Sequence, residues 1–204
     1  GRGDGTFTPS APVSGGGSGF PLLLGDMNRD NKLDLVWGPN VYLSNGDGTF
    51  TLFPIAVSPI ALGDLNGDGI LDVVTKTAIY AGLGNGGVQS SSFASFTIST
   101  AAVVGDVNAD GHPDFVTQYE IGAGPYIDAF TVYLGDGAGH FSDGGTSVAG
   151  SPPVPSTDPG YLFLTRLNNQ APVGSADHAL DLLALTSGGA TSLINQTNPA
   201  PGQL

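Results

Sequence analysis

Asp64, Asn66, Asp68 and Asp72 place four oxygen-bearing side chains within nine residues, Asp64-Leu65-Asn66-Gly67-Asp68-Gly69-Ile70-Leu71-Asp72. Calcium asks for such chemistry: six to eight hard oxygens at roughly 2.3–2.6 Å, several from carboxylates and commonly one from a backbone carbonyl. Ile70, at the seventh position, is the carbonyl candidate, and Gly69 stands where the chain must turn sharply. The pattern recurs upstream as Asp26-Met27-Asn28-Arg29-Asp30-Asn31-Lys32-Leu33-Asp34. Downstream it is Asp106-Val107-Asn108-Ala109-Asp110-Gly111-His112-Pro113-Asp114. One such loop is a weak signal, whereas three in register are a strong one.

The EF-hand shares the first ligands of this pattern but needs a bidentate Glu at position twelve and flanking helices. Position twelve here is Trp37, Thr75 and Thr117, and strand-like residues follow each loop. The EF-hand reading fails. Catalytic chemistry finds little support. There is no Cys, which excludes disulfides, zinc-thiolate sites and thiol nucleophiles. His112, His140 and His178 lie in separate loops, and no G-x-S-x-G elbow is present. The aspartates best placed for a glycosidase pair are already committed to the three loops. Gly82-Leu83-Gly84-Asn85-Gly86-Gly87 has the letters of a dinucleotide fingerprint, but Gln89-Ser90-Ser91-Ser92 follows where a helix is required. Arg2-Gly3-Asp4 spells an integrin-recognition tripeptide, yet it aligns with a Gly-Asp-Gly-Thr-Phe hairpin turn further along. Asn195-Gln196-Thr197 is a glycosylation sequon, meaningful only in a eukaryotic secretory setting. The chain is therefore read as non-enzymatic.

Composition agrees with a metal-rich role. The formal charge is −13, and of 18 acidic residues only Glu120 is Glu. Nine of the 18 lie in the three loops, so three divalent ions would bring −13 to −7. That acidity excludes nucleic acid as a partner. A Cys-free, acidic, Gly/Ser/Thr-rich chain fits an extracellular or cell-surface setting, of the bacterial secreted kind, where calcium is plentiful. The longest apolar run, Phe20 to Leu24, is too short to span a membrane. No signal peptide is visible, which suggests a mature chain or an excerpt.

The loops need elements to hold them, and these repeat. Loops begin at Asp26, Asp64 and Asp106, spacings of 38 and 42 residues. Each repeat has a short apolar strand (Pro21–Leu24, Pro59–Leu62, Ala101–Val104), the loop, a second strand (Leu33–Trp37, Leu71–Thr75, Asp114–Thr117) and a third (Val41–Ser44, Ile79–Leu83, Ala129–Leu134). A Gly-rich turn, Asn45-Gly46-Asp47-Gly48-Thr49-Phe50 in the first repeat, then opens a fourth strand with Phe. No segment shows a sustained helical period. Four short strands per unit of about 40 residues is the signature of a propeller blade. The expected fold is all-β: a β-propeller or propeller segment, one domain over 1–204. Four repeats of four antiparallel strands are expected near 20–54, 58–98, 100–145 and 160–197.

The fourth repeat is degenerate. Arg166 occupies the first-ligand slot, and the closing Asp181 lies 15 residues on instead of 8. Arg166 is expected to replace the ion and pair with Asp181. Residues 1–9 have the pattern of a turn and an extra outer strand, while 190–196 look like a third strand without a fourth. The N-terminal strand could complete the last blade, or the chain could pair as a homodimer or belong to a longer ring. Phe7, Phe50, Phe93 and Phe141 are expected in the core between blades. Trp37 and Tyr42 could stack on a sugar, with packing the favoured role.

These loops and the 45–50 turn resemble the FG-GAP/VCBS repeat family, which builds the seven-bladed propeller head of integrin α-subunits and many bacterial secreted proteins. The resemblance covers nearly the whole chain. It implies calcium between the first two strands of a blade. The implied ligands are Asp26, Asn28, Asp30 and Asp34; Asp64, Asn66, Asp68 and Asp72; and Asp106, Asn108, Asp110 and Asp114. The carbonyls of Lys32, Ile70 and His112 complete the sets. Asn31 departs from the loop Gly, which is tolerable because Asn enters the left-handed region readily. The expected function is an extracellular scaffold with structural calcium that presents loops for protein or carbohydrate recognition or adhesion. A lectin, a non-catalytic part of a larger secreted hydrolase, and a spacer are the alternatives.

Overall fold

The computed structural model describes residues 3–6, 9, 12–96, 101–121, 127–148, 161–165, 181–186 and 189–193. Among them are fifteen β-strands and no helix. The first sheet is an antiparallel meander of β1 (Leu22–Gly25), β2 (Asp34–Trp37), β3 (Asn40–Ser44) and β4 (Phe50–Pro54). The second repeats it with β5 (Ala61–Gly63), β6 (Asp72–Val74), β7 (Ala78–Tyr80) and β8 (Ala94–Ser95). The third is β9 (Ala101–Gly105), β10 (Asp114–Ile121), β11 (Ile127–Gly135) and β12 (Phe141–Val148). The fourth holds β13 (Tyr161–Thr165), β14 (Asp181–Thr186) and β15 (Gly189–Leu193).

The repeats share one register. Gly25 opposes Asp34, Gly63 opposes Asp72, Gly105 opposes Asp114, and Thr165 opposes Asp181. The turn before the fourth strand is also shared. Asn45, Leu83 and Asp136 each donate a backbone N–H to the carbonyl four residues on, at 3.0, 2.9 and 3.1 Å. Glycines at φ +84 and +88 make this turn in the first sheet, a conformation a Cβ would strain. The G-x-G-x-x-G stretch at 82–87 is therefore a hairpin turn.

The first strands of successive sheets meet in chain order: β1 against β5, β5 against β9, β9 against β13. Side chains fill each gap between sheets. Val36, Val41 and Ile55 of the first sheet pack with Val73, Leu62 and Leu71 of the second. Leu65, Val74 and Ile79 meet Phe115, Val104 and Tyr133. Val107, Val116 and Phe130 meet Leu164. Glycine sets the spacing. A Cβ on Gly25 would lie 2.5 Å from Leu71 Cδ1, and one on Gly63 2.5 Å from Val104 Cγ1.

Among the described residues the fourth sheet has three strands, and the extra strand expected within 1–9 falls on residues outside the described ones. Two expectations are revised. The second sheet's outer strand is split: Val88 bridges Gly82, the chain leaves the ladder, and β8 rejoins for two residues. The excursion moves the core aromatic from Phe93, 36% exposed, to Phe96, whose ring lies 4.7 Å from that of Phe115. Phe141 packs edge-on to Phe115 as expected, whereas Phe7, Arg166 and His178 lie outside the described residues.

Candidate metal loops

Each acidic loop joins the first strand of a sheet to the second, β1 to β2, β5 to β6 and β9 to β10. The closing aspartates Asp34, Asp72 and Asp114 are 0% exposed. Asp34 accepts the Met27 N–H at 2.9 Å and the Ser44 N–H at 2.8 Å. Asp72 accepts those of Leu65 (2.9 Å) and Gly82 (3.0 Å), and Asp114 those of Val107 and Gly135 (both 2.8 Å). One carboxylate thus ties the start of its loop to the end of the third strand. A buried carboxylate in this position needs such donors, because desolvation disfavours its charge.

The other oxygens repeat just as closely. Asp26, Asp64 and Asp106 each take the amide five residues on, from Asn31 (2.8 Å), Gly69 (2.9 Å) and Gly111 (2.9 Å). Asn28, Asn66 and Asn108 accept from the N–H of Asp30, Asp68 and Asp110. Those aspartates in turn accept from the N–H of Lys32, Ile70 and His112. The sixth position is left-handed in all three, Asn31 at φ +62, Gly69 at +78 and Gly111 at +90. Asn31 does there what glycine does in its sister loops. The fourth position is left-handed too, at Arg29 (+62), Gly67 (+76) and Ala109 (+62). Sequence offered no signal for this at Arg29 and Ala109.

Electrostatics differs along the loops: the Lys32 ammonium lowers Asp30 and the His112 N–H lowers Asp110, whereas two closing aspartates are raised. Burial pushes the Asp72 carboxyl up to about 6, and the neighbouring Asp68 and Asp64 add to the rise. Burial raises Asp114 as well, with Asp110 adding. Hydrogen-bond donors, one of them cationic, sit among the carboxylates. Lys32 Nζ lies 2.7 Å from Asp30 Oδ2, Asn108 Nδ2 donates to Asp110 at 2.8 Å, and Asn66 Nδ2 to Asp68 at 3.2 Å. The donor set is all hard oxygen and fits calcium in kind. A carboxylate has about four lone-pair sites, and the two bonds to Asp34 leave it acceptor capacity. Among the described residues, however, no three acidic or histidine groups converge at metal-holding distance. An ion would have to displace the Asn amides and Lys32 from their present places.

The remaining singled-out residues have local roles. Gly16 packs on the Trp37 ring, and the Tyr42 hydroxyl donates to the Ser14 carbonyl at 2.7 Å. His140 Nδ1 lies 2.9 Å from Asp136 Oδ2, and backbone N–H donors from Ala138 help hold Asp136 down to about 2. Asp4 accepts the Thr6 N–H and hydroxyl at 2.9 and 2.6 Å, as Asp47 does from Thr49 at the same distances. Residues 3–6 therefore repeat the Asp–Thr bonds of the 46–49 turn, including the Gly3-Asp4 part of the tripeptide.

Loop, strand exit and shared register all point to a repeat unit, and residues 64–117 match the family described as FG-GAP-like repeat. This stretch is similar to FG-GAP-like repeats. The match runs from the first aspartate of the second loop to Thr117 in β10, so it straddles two sheets and contains two complete acidic loops. The first loop, outside the match, shows the same bonds. No curated protein matches the chain. No helix among the described residues is long and apolar enough to cross a membrane.

Proposed function

We propose that the chain is a propeller-type scaffold of the extracellular space, braced by calcium in its three acidic loops and used to present surface loops to a protein or glycan. The observation that carries this reading is the threefold repetition of one oxygen set on one backbone path, in a chain similar over residues 64–117 to FG-GAP-like repeats. The side chains of Asp26, Asn28, Asp30 and Asp34, and their counterparts in the other two loops, would hold the ion with the carbonyls of Lys32, Ile70 and His112. Bound calcium supplies two positive charges to a loop of three carboxylates, replacing repulsion by a cross-link between neighbouring strands. Its role is architectural. Recognition falls to exposed loops, and the sugar-stacking variant is weakened by the Gly16 cover on Trp37.

Thermal unfolding with and without chelator tests the claim. A ligand at ten times its dissociation constant stabilises the folded state by about 1.4 kcal/mol per site. Three sites together shift the melting temperature by on the order of 10 °C for a chain of this size. Chelation should lower the melting temperature by that order and added calcium should restore it. A melting curve indifferent to both would end the calcium reading.

A further inference from the structure

Residues 12–19 lie against one face of the first sheet without joining it. Among the described residues, no backbone–backbone hydrogen bond ties this glycine-rich strap to a strand. Three side chains hold it instead. Trp37 and Asn40 are paired across β2 and β3, and Tyr42 stands two residues further on, so all three share a face. The buried Tyr42 donates its hydroxyl to the Ser14 carbonyl at 2.7 Å, and Asn40 Nδ2 donates to the Gly15 carbonyl at 2.9 Å. Gly16, the buried residue of the strap, lies on the Trp37 ring. A Cβ on Gly16 would collide with Trp37 Cγ and Cδ2, and one on Gly38 would collide with the Gly16 carbonyl oxygen. Gly15 and Gly17 take φ +109 and +81, values that favour glycine.

We propose that Trp37, Asn40 and Tyr42 form a recognition site for a glycine-rich polypeptide segment, and that residues 14–17 are its internal, displaceable occupant. The strap displays the chemistry of the ligand. Two donors meet two successive peptide carbonyls, the aromatic floor admits glycine alone, and no side chain of residues 14–17 enters the contact. The site thus reads main chain. Its hold on the strap is two hydrogen bonds and one ring contact, all of which an incoming backbone of the same composition replaces one for one. Release without replacement leaves the Tyr42 hydroxyl and the Asn40 amide without acceptors beside a bared indole, so the site favours an occupant of this kind. Tethering gives the strap an effective concentration in roughly the millimolar range, so a free segment competes at a disadvantage until the strap is dislodged. The proposal goes beyond the scaffold reading by naming a polypeptide as partner. It does not rest on calcium, because Trp37 ends β2 at the opposite end from Asp34.

Trp37 is the single tryptophan of the chain, so its fluorescence reports on this site alone. Gly16→Val should expel the strap: Trp37 emission moves to the red and acrylamide quenches it more, with the circular dichroism spectrum unchanged because residues 12–19 belong to no strand. The hexapeptide Val-Ser-Gly-Gly-Gly-Ser, a copy of residues 13–18, should bind this variant and restore the emission and its protection. It should bind the wild type about tenfold more weakly, since the tethered strap competes there. Adding Asn40→Ala to Gly16→Val should weaken peptide binding about fivefold, the effect of one lost hydrogen bond. Unchanged quenching in Gly16→Val overturns the proposal. So does a hexapeptide that fails to restore protection, or a Val-Ser-Ala-Ala-Ala-Ser peptide that binds equally well. Restoration by cellohexaose and not by the hexapeptide overturns it in favour of a sugar site. Should Gly16→Val lose its circular dichroism spectrum, Asn40→Ala alone carries the test: quenching of Trp37 should rise, and unchanged quenching overturns the proposal. Parallel runs in calcium and in chelator should agree, which keeps this result separate from the calcium reading.

Discussion

Asp72 and Asp68 are both acidic members of one loop, but they answer to different physics. Asp72 is buried and holds two backbone N–H donors, of Leu65 and Gly82. Asp72→Ala leaves both donors without an acceptor in a closed site. Each lost partner costs about 1–3 kcal/mol, so urea unfolding in chelator should show a loss of about 2–6 kcal/mol. Asp68 is exposed and takes the Ile70 N–H. Asp68→Ala should change stability in chelator little and remove calcium binding to that loop, read as two bound ions instead of three by titration calorimetry. Ala109 gives the opposite sign. Its φ of +62 is a left-handed conformation that costs an L-residue about 1–2 kcal/mol. Ala109→Gly should therefore raise stability by about 0.5–1 kcal/mol after glycine's larger unfolded-state entropy is subtracted. The ligand spacing was legible because it depends on residue type alone. The left-handed fourth position was not, since Arg29 and Ala109 are ordinary residues forced there by the loop's internal bonds. Nor was the second bond of each closing aspartate, which depends on where the third strand ends in space.

At the scale of elements, the sheets are held apart by glycine and joined by leucine and valine. Gly63 is the tighter of the two tested junctions, because Val104 presents a branched Cβ 3.2 Å from the position a new methyl would take. At Gly25 the nearest atoms are the flexible ends of Leu71 and Leu62. Overpacking costs about 1–3 kcal/mol where neighbours cannot move. Gly63→Ala should fall within that range and Gly25→Ala near its lower end, compared by denaturant midpoints at equal slope. Sequence showed the repeat period and the loop–strand–turn order, since these follow from Asp, Gly and apolar alternation. It misplaced the second sheet's aromatic. Phe93 holds the position suggested by counting from the turn, but Ser90 to Ser92 leave the ladder, and Phe96 is the residue that returns to the core. A departure of a few residues inside a Ser-rich strand has no periodicity to betray it.

For the whole molecule the telling contacts run from the acidic loop of one sheet to the hairpin turn of the next. Gly86 in the second sheet's turn donates its N–H to the Met27 carbonyl in the first loop at 3.0 Å. Gly67 of the second loop lies against the Gly137 carbonyl in the third sheet's turn, and Gly139 faces Asn66. The first and second loops are thereby coupled forward along the chain, and each loop also meets the turn of its own sheet, through the closing aspartate and through Lys32 on Gly46, Ile70 on Gly84 and His112 on Gly137. Ordering one loop should then stiffen its successor's turn more than its predecessor's. Amide exchange followed by mass spectrometry in calcium and in chelator gives the measurement. Calcium should slow exchange in the 26–34 loop and in the 83–87 turn together. Asp30→Ala should abolish the first effect, weaken the second, and leave the calcium response of the 136–140 turn intact, because that turn meets only the second and third loops among the three. Protection confined to the ion loops, or lost equally in all turns of the variant, would show that each sheet carries its brace independently and that the forward contacts transmit nothing.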